Sequence, residues 1–196
     1  MQPQIVPINQ MPRLLQIQDV DIKLMCDQRY VRPPTGYFAY IKRVCRDMCT
    51  VCREEHGEGL SATQIGEPLR LFVVVNKYKY TQNDDSYDVY ANCQYSPSPK
   101  DDKELFSSVE GCLSLKDRYG TAIQYTVPRH KNIVVRGLKI NFGCEQLVTE
   151  IAWHLEGFES VLFQHEIDHG NGILISDKGI ITDYTKDNNA TSNVTD

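Results

Sequence analysis

The sequence predicts an α+β fold, mostly antiparallel β-sheets packed around a central helix. Three observations lead there: an amphipathic helical stretch early in the chain, a series of short apolar strands in the middle, and a second helical stretch near the end that carries VLFQHEIDHG. Helix, strands and helix in that order place helices against a sheet rather than between parallel strands. At 196 residues, with 41% apolar and 24% charged residues, the chain has ordinary globular composition and suggests one domain. We expect a single domain over residues 1–180, and a polar C-terminal tail over 181–196 with too little apolar content to order itself.

Ile5 to Met25 reads as a mixed entry segment, and Arg32-Pro33-Pro34-Thr35-Gly36 as a loop. Phe38, Ile41, Cys45, Met48 and Cys52 recur at steps of three and four, the period of a helix with one apolar face, ending before Gly57 and Gly59. Leu69 to Val75 reads as a buried strand and Tyr87 to Ala91 as a second. Ser96 to Asp102, with two prolines beside charges, reads as a surface excursion. Asn132 to Ile140 and Gln146 to Trp153 are further strands, joined as a hairpin around Asn141-Phe142-Gly143. Phe158, Val161 and Leu162 then have helical spacing and lead into the histidine-bearing helix.

Bulk properties narrow the function classes. No stretch is apolar and long enough to span a bilayer, and the first residues lack a signal or transit pattern, so a cytoplasmic location is expected. A net charge of -5 argues against broad nucleic-acid binding. Seven cysteines, an odd number without a secretion signal, point to thiols or thiolate ligands rather than a disulfide scaffold.

The chemistry begins at His165-Glu166-Ile167-Asp168-His169. On a helix, positions four apart differ by about 40° in direction, so both imidazoles can face one ion. Glu166 between them is then placed to take a proton from water held on that ion. Two histidines need a third protein ligand. Cys112, in Glu110-Gly111-Cys112-Leu113-Ser114, is the strongest candidate, because a thiolate with two neutral imidazoles suits a divalent transition metal and leaves one position open. A third stretch, Gly57-Glu58-Gly59-Leu60-Ser61-Ala62-Thr63-Gln64, has two glycines that let a backbone approach a ligand and a glutamine able to donate an amide proton.

Together these stretches resemble peptide deformylase, whose patterns are G-x-G-L-A-A-x-Q, E-G-C-L-S and Q-H-E-x-D-H in that order. The second and third match fully; the first has Ser61 in place of an alanine, and Lys116 stands where many members have proline. The resemblance runs from about Leu14 to Ile175. Val127-Pro128-Arg129-His130 and the Phe163 to His169 stretch look more like the Gram-positive type of the family. It implies Cys112, His165 and His169 as metal ligands, Glu166 as general base and acid, and Gln64 with the Leu113 backbone N–H as oxyanion donors. It further implies Gly57, Glu58, Gly59, Glu110, Gly111, Phe158 and Leu162 as substrate-binding residues. The implied activity removes the formyl group from the N-formylmethionyl end of nascent polypeptides, releasing formate, through attack by metal-bound water. The implied metal is Fe²⁺, one per chain, with Zn²⁺, Ni²⁺ or Co²⁺ as substitutes; a transient ribosome contact is compatible with such a substrate. Arg129 and Asp168 are expected to form an ion pair that fixes the ligand helix against a strand.

Three rival readings carry different expectations. Cys45, Cys49 and Cys52 have the C-x3-C-x2-C spacing of a radical-enzyme cluster, but on a helix Cys45 and Cys52 lie about 10.5 Å apart along the axis, too far for one cubane. A zincin-like endopeptidase uses HExxH with a downstream ligand, usually His or Glu, yet no histidine follows His169. A non-catalytic metal-binding protein has no need of Glu166 as a base.

Overall fold

The computed structural model describes residues 2–12, 16–22, 25, 36–76, 87–99, 105–142 and 146–182. Helix α1 spans Tyr37–Glu54 and buries Ile41, Val44, Cys45, Met48, Cys49, Val51 and Cys52, the face that the three-and-four spacing predicts. Its opposite face is solvated and carries the Arg43–Asp47 pair. The buried stripe packs on Leu60, Leu71 and Val73, so the cysteines of the C-x3-C-x2-C stretch are free thiols inside an apolar cluster. After α1, His56 adopts a left-handed conformation (φ 54°) and turns the chain into Gly57 and strand β1, Gly59–Ser61.

A 3-10 turn, Ala62–Ile65, links β1 to β2, Leu71–Val75, and β3, Tyr87–Pro97, follows. Strands β4, Leu105–Lys116, and β5, Ala122–His130, form a hairpin; β6, Asn132–Ile140, and β7, Val148–Glu156, form another. Helix α2 spans Gly157–Gly170, a short α3 spans Ile175–Lys178, and β8 is Ile180–Ile181. Two antiparallel sheets result, one of five strands in the order β1-β2-β3-β6-β7 and one of three in the order β4-β5-β8.

Two sets of contacts seat α2. On the five-stranded sheet, Phe163 meets Phe72 and Tyr90 with ring centroids 5.4 and 4.9 Å apart, edge-to-face geometries that aromatic pairs favour. At the end of β5, Gln164 accepts from the His130 N–H at 3.0 Å and donates to the His130 carbonyl at 2.9 Å, while Ser160 Oγ donates to that carbonyl at 3.0 Å. A side-chain amide here pairs with backbone as a neighbouring strand would. The helix is thereby fixed in rotation as well as position.

Several expectations change. Phe158, Val161 and Leu162 do not face the core: Phe158 is 55% exposed, and all three line a cavity, while Ser160, Phe163 and Ile167 take the buried side. Strand β3 continues through Pro97, and Ser98 is buried with its N–H on the Asn132 carbonyl, so the excursion begins later than Ser96. The hairpin β4–β5 lies where no strand was expected. Ile181 pairs opposite Tyr125 and the Thr182 N–H donates to the Gln124 carbonyl, so the boundary at 180 falls inside a sheet. The Arg32–Thr35 loop, Gly143 and residues 183–196 lie outside the described residues.

Candidate active site

The register of β4 against β5 shifts between Gly111 and Lys116, and this irregularity carries Cys112 and Leu113. Cys112 Sγ lies 3.4 Å from His169 Nε2, which lies 3.2 Å from His165 Nε2. The ligand atoms of these three residues fall within 4.8 Å of one another. Tetrahedral coordination with bonds of about 2.0–2.1 Å to nitrogen and 2.3 Å to sulfur gives donor–donor edges of roughly 3.3 to 3.6 Å. The donor set therefore fits a divalent transition ion. The helix supplies both imidazoles one turn apart, and the strand irregularity supplies the thiolate.

The electrostatics agree with that use. Burial by itself would push the Cys112 thiol up, but the His169 and His165 imidazoles outweigh it and hold Cys112 well below the usual thiol value, favouring the ligating thiolate. Burial likewise disfavours a charged His165, yet its hydrogen bonds with Cys112 and Glu110 raise it to about 10. An ion held by His165 would therefore have to displace a proton.

Glu166 is buried, and its Oε2 has no hydrogen-bond partner among the described residues. Burial lifts its pKa to about 7, against the lowering pull of His165 and His169. A carboxyl with an uncommitted oxygen and a pKa near neutrality is suited to accept and return a proton. Its other oxygen sits over Gly59, where an added Cβ would lie 2.7 Å from Glu166 Oε1. The space at Gly59 is thus taken by the carboxylate, whereas the sequence suggested a ligand there. At Gly57 a Cβ would meet Leu113 Cδ1 at 2.9 Å.

Gln64 is oriented by its own turn. Its Oε1 accepts from the Ser61 N–H at 2.9 Å, which aims Nε2 toward Ser114 Oγ at 3.1 Å and Cys112 Sγ at 3.7 Å. Ser61 does this with its backbone; its hydroxyl faces the Leu71 carbonyl at 3.4 Å. Lys116 pairs with Glu55 at 2.5 Å at the end of α1.

Behind the histidines lies a buried charge array. Glu110 grips Arg129 through both oxygens, at 2.7 Å to Nε and 2.8 Å to the guanidinium's far nitrogen, and also contacts His165 Nδ1 at 3.0 Å. Burial opposes the Glu110 charge, but the hydrogen bonds from Arg129 and His165 hold its carboxyl down at about 2. Arg129, 1% exposed, also donates to Asp168. Glu110, expected among the substrate contacts, thus directs its carboxylate to Arg129 and His165.

A cavity of about 610 Å³ opens over Glu166. Gly57, Glu58, Gly59, Gln64, Glu110, Gly111, Cys112, Leu113, Phe158, Leu162, His165 and Glu166 line it; His169, Arg129 and Asp168 do not. Phe106, Val109 and Val161 complete its apolar wall; Val161 was expected only as part of a helix face, and the other two were not singled out in the sequence. No pattern in the β4 sequence marks the first two, since both are exposed at positions three apart.

The family model for polypeptide deformylases matches residues 24–185. The chain belongs to the peptide deformylase family. A peptide deformylase from Chloroflexus aurantiacus is 32% identical over 192 residues, covering 91% of this chain and 94% of that protein. One from Mycoplasmopsis pulmonis is 31% identical over 134 residues, covering 62% of this chain and 65% of that protein. The crystal structure of the Thermus thermophilus peptide deformylase superposes with a TM-score of 0.59 at 30% identity, covering 89% of this chain and 82% of that one. As a deformylase-family chain it is a hydrolase, and the antiparallel α+β architecture is the family's. No helix among its described residues is long and apolar enough to cross a membrane.

Proposed function

We propose that this chain removes the formyl group from the N-terminal formylmethionine of newly made polypeptides and releases formate. The observation that carries the reading is Glu166, buried with an uncommitted oxygen beside Cys112, His165 and His169 under an apolar cavity. Those three residues would hold Fe²⁺, with Zn²⁺, Ni²⁺ or Co²⁺ as substitutes, and such an ion supplies Lewis acidity toward the formyl oxygen and water that ionises near neutral pH.

The rest falls to the chain's own groups. Glu166 takes the proton from the attacking water and delivers it to the departing amine, so the C–N bond breaks as formate and a free amino terminus form. Gln64 Nε2 and the Leu113 N–H donate to the oxygen that gains charge, contacts of a kind worth about 3 kcal/mol each where measured. Leu113, Val161, Leu162 and Phe158 receive the methionine side chain, and the backbone at Gly57, Glu58, Gly59 and Gly111 follows the peptide. Glu110 fixes the His165 tautomer, while Arg129 and Asp168 tie β5 to α2. In this reading α2 is the central element of one catalytic domain that runs to Thr182, followed by a polar tail. A cytoplasmic location, a Gram-positive-like type and transient ribosome contact complete it.

Formate release from formyl-Met-Ala-Ser, measured after anaerobic purification, tests the proposal, with acetyl-Met-Ala-Ser as the contrast. Glu166→Ala should keep its metal and lose about 10² to 10⁴-fold in turnover. Cys112→Ala should lose the metal. Release no faster than in Cys112→Ala would sink the reading, and a metal-free Glu166→Ala would make Glu166 a ligand instead of a base.

A further inference from the structure

We propose that Lys178 is a positioning residue for the metal site, acting through Asp168. The inference rests on Cys112, His165 and His169 being the ligand set. Lys178 lies outside the cavity, on α3, where its ammonium donates to Asp168 Oδ1 at 3.0 Å, to Asp168 Oδ2 at 2.8 Å and to the Tyr95 hydroxyl at 3.3 Å. The Tyr95 hydroxyl in turn donates to Asp168 Oδ1 at 3.3 Å. Asp168 is bonded to Arg129, Arg129 to Glu110, and Glu110 to His165 Nδ1. One unbroken line of charged contacts thus runs from α3 to the imidazole on the far side of the site.

A charge count shows why its outer end matters. Glu110 and Asp168 are two buried carboxylates, and Arg129 is the one guanidinium between them. Lys178, with its side chain 29% exposed, is the second cation on Asp168. A buried charge left without its partner is strongly unfavourable, and the cheapest escape is for the side chain to turn toward water. In this proposal Asp168 turns away from Arg129 when Lys178 no longer holds it. Its departure takes away one anchor of Arg129, and with it the rigidity of the Glu110 carboxylate that orients His165.

The segment itself does not depend on the charge. Ile175 is buried in one cluster with Cys112, Leu115 and Val127; β8 pairs with β5; and a Cβ on Gly179 would lie 2.7 Å from the Thr126 carbonyl. Apolar packing and backbone pairing hold α3 in place. Lys178→Met should therefore fold, while losing its hold on Asp168.

The experiment follows metal release from the Zn²⁺-loaded protein into a chelator, alongside KM and kcat on a formyl-Met peptide. Partners that orient metal ligands typically contribute 10- to 100-fold in metal affinity. Lys178→Met should release metal about 10-fold faster at unchanged KM, and Lys178→Arg should restore the rate to within about 3-fold of wild type. Tyr95→Phe removes one hydroxyl from the same group and should accelerate release less, in the same direction. A wild-type release rate in Lys178→Met, or equal defects in the Met and Arg variants, overturns the proposal. Should Lys178→Met fail to fold, an unchanged rate in Tyr95→Phe overturns it. A wild-type chain that loads no more metal than Cys112→Ala overturns the ligand set itself, which a defect confined to Lys178→Met cannot do.

Discussion

Gly59→Ala is the most informative single change, because it adds one carbon directly against the proposed base. The new Cβ would sit 2.7 Å from Glu166 Oε1, 3.2 Å from its carboxyl carbon and 3.2 Å from Leu162 Cδ1. Ordinary contact begins near 3.4 Å, so the oxygen must retreat by about 0.7 Å. Strand β1 cannot yield instead, since Gly59 is held in register opposite Val74. The carboxylate, at the free end of its side chain, gives way. Overpacking of this kind costs roughly 1–3 kcal/mol, while a misplacement approaching 1 Å in a reacting group costs about 10²-fold in rate. Activity should therefore fall far more than stability: kcat on a formyl-Met peptide down about 10- to 100-fold, metal content unchanged, and a melting temperature only a few degrees lower. Wild-type kcat in a folded, metal-loaded Gly59→Ala would refute the placement of the base.

Gln64→Leu should lower kcat about 10²- to 10³-fold through loss of one proposed oxyanion donor, and should also destabilise the fold by about 1–3 kcal/mol, because the buried Ser61 N–H loses its acceptor; thermal melts and turnover measure the two separately. Ser61→Ala should leave kcat within about 2-fold of wild type and cost less than about 1.5 kcal/mol, since the backbone of Ser61, not its long hydroxyl contact, holds Gln64; a large activity loss would reassign the hydroxyl. Glu110 has its carboxyl depressed from 4.5 to about 2, so its stabilisation is fully present above about 4.5 and is lost as pH falls toward 2. The melting-temperature gap between wild type and Glu110→Gln, both metal-free, should narrow through that window, and a constant gap from pH 6 to 3 would contradict the assignment.

Helix α1 and the strands β2, β3, β6 and β7 were legible because their residues follow the rules of burial, whereas β1 did not read as a strand and α2 was legible from apolar positions that line the cavity. Ile41, Val44, Met48 and Val51 keep helical spacing, and Leu71 to Val75 is an uninterrupted apolar run. Strand β4 inverts the rule. Its inward positions include Ser108, Glu110 and Cys112, while Leu105 and Val109 point outward, so the pattern of hydrophobicity argues against the strand that is there. Strand β5 buries Arg129 and contains Pro128, which reads as a breaker but lies beyond the Tyr125–Thr126 pairing with β8. Both strands carry site residues, and the polar groups needed for chemistry displaced the apolar ones that announce a strand. The three motif stretches gave the ligand candidates, whereas the position of Glu110 behind His165 depends on which face of β4 it occupies, and so on a register that sequence spacing leaves open.

The sulfur and the imidazoles that converge on one point arrive from different parts of the architecture. Cys112 rides on the three-stranded sheet, and His169, 57 residues further along, rides on a helix seated against the five-stranded one. Neither half supplies all three groups. With the proposed ligand set, capture of an ion would report that the two sheets have docked and would draw the folding equilibrium toward the docked chain. If these three residues hold the ion as proposed, a copy whose sheets had formed but not yet met would lack the complete ligand set, so metal capture and completed assembly would arrive in a single event.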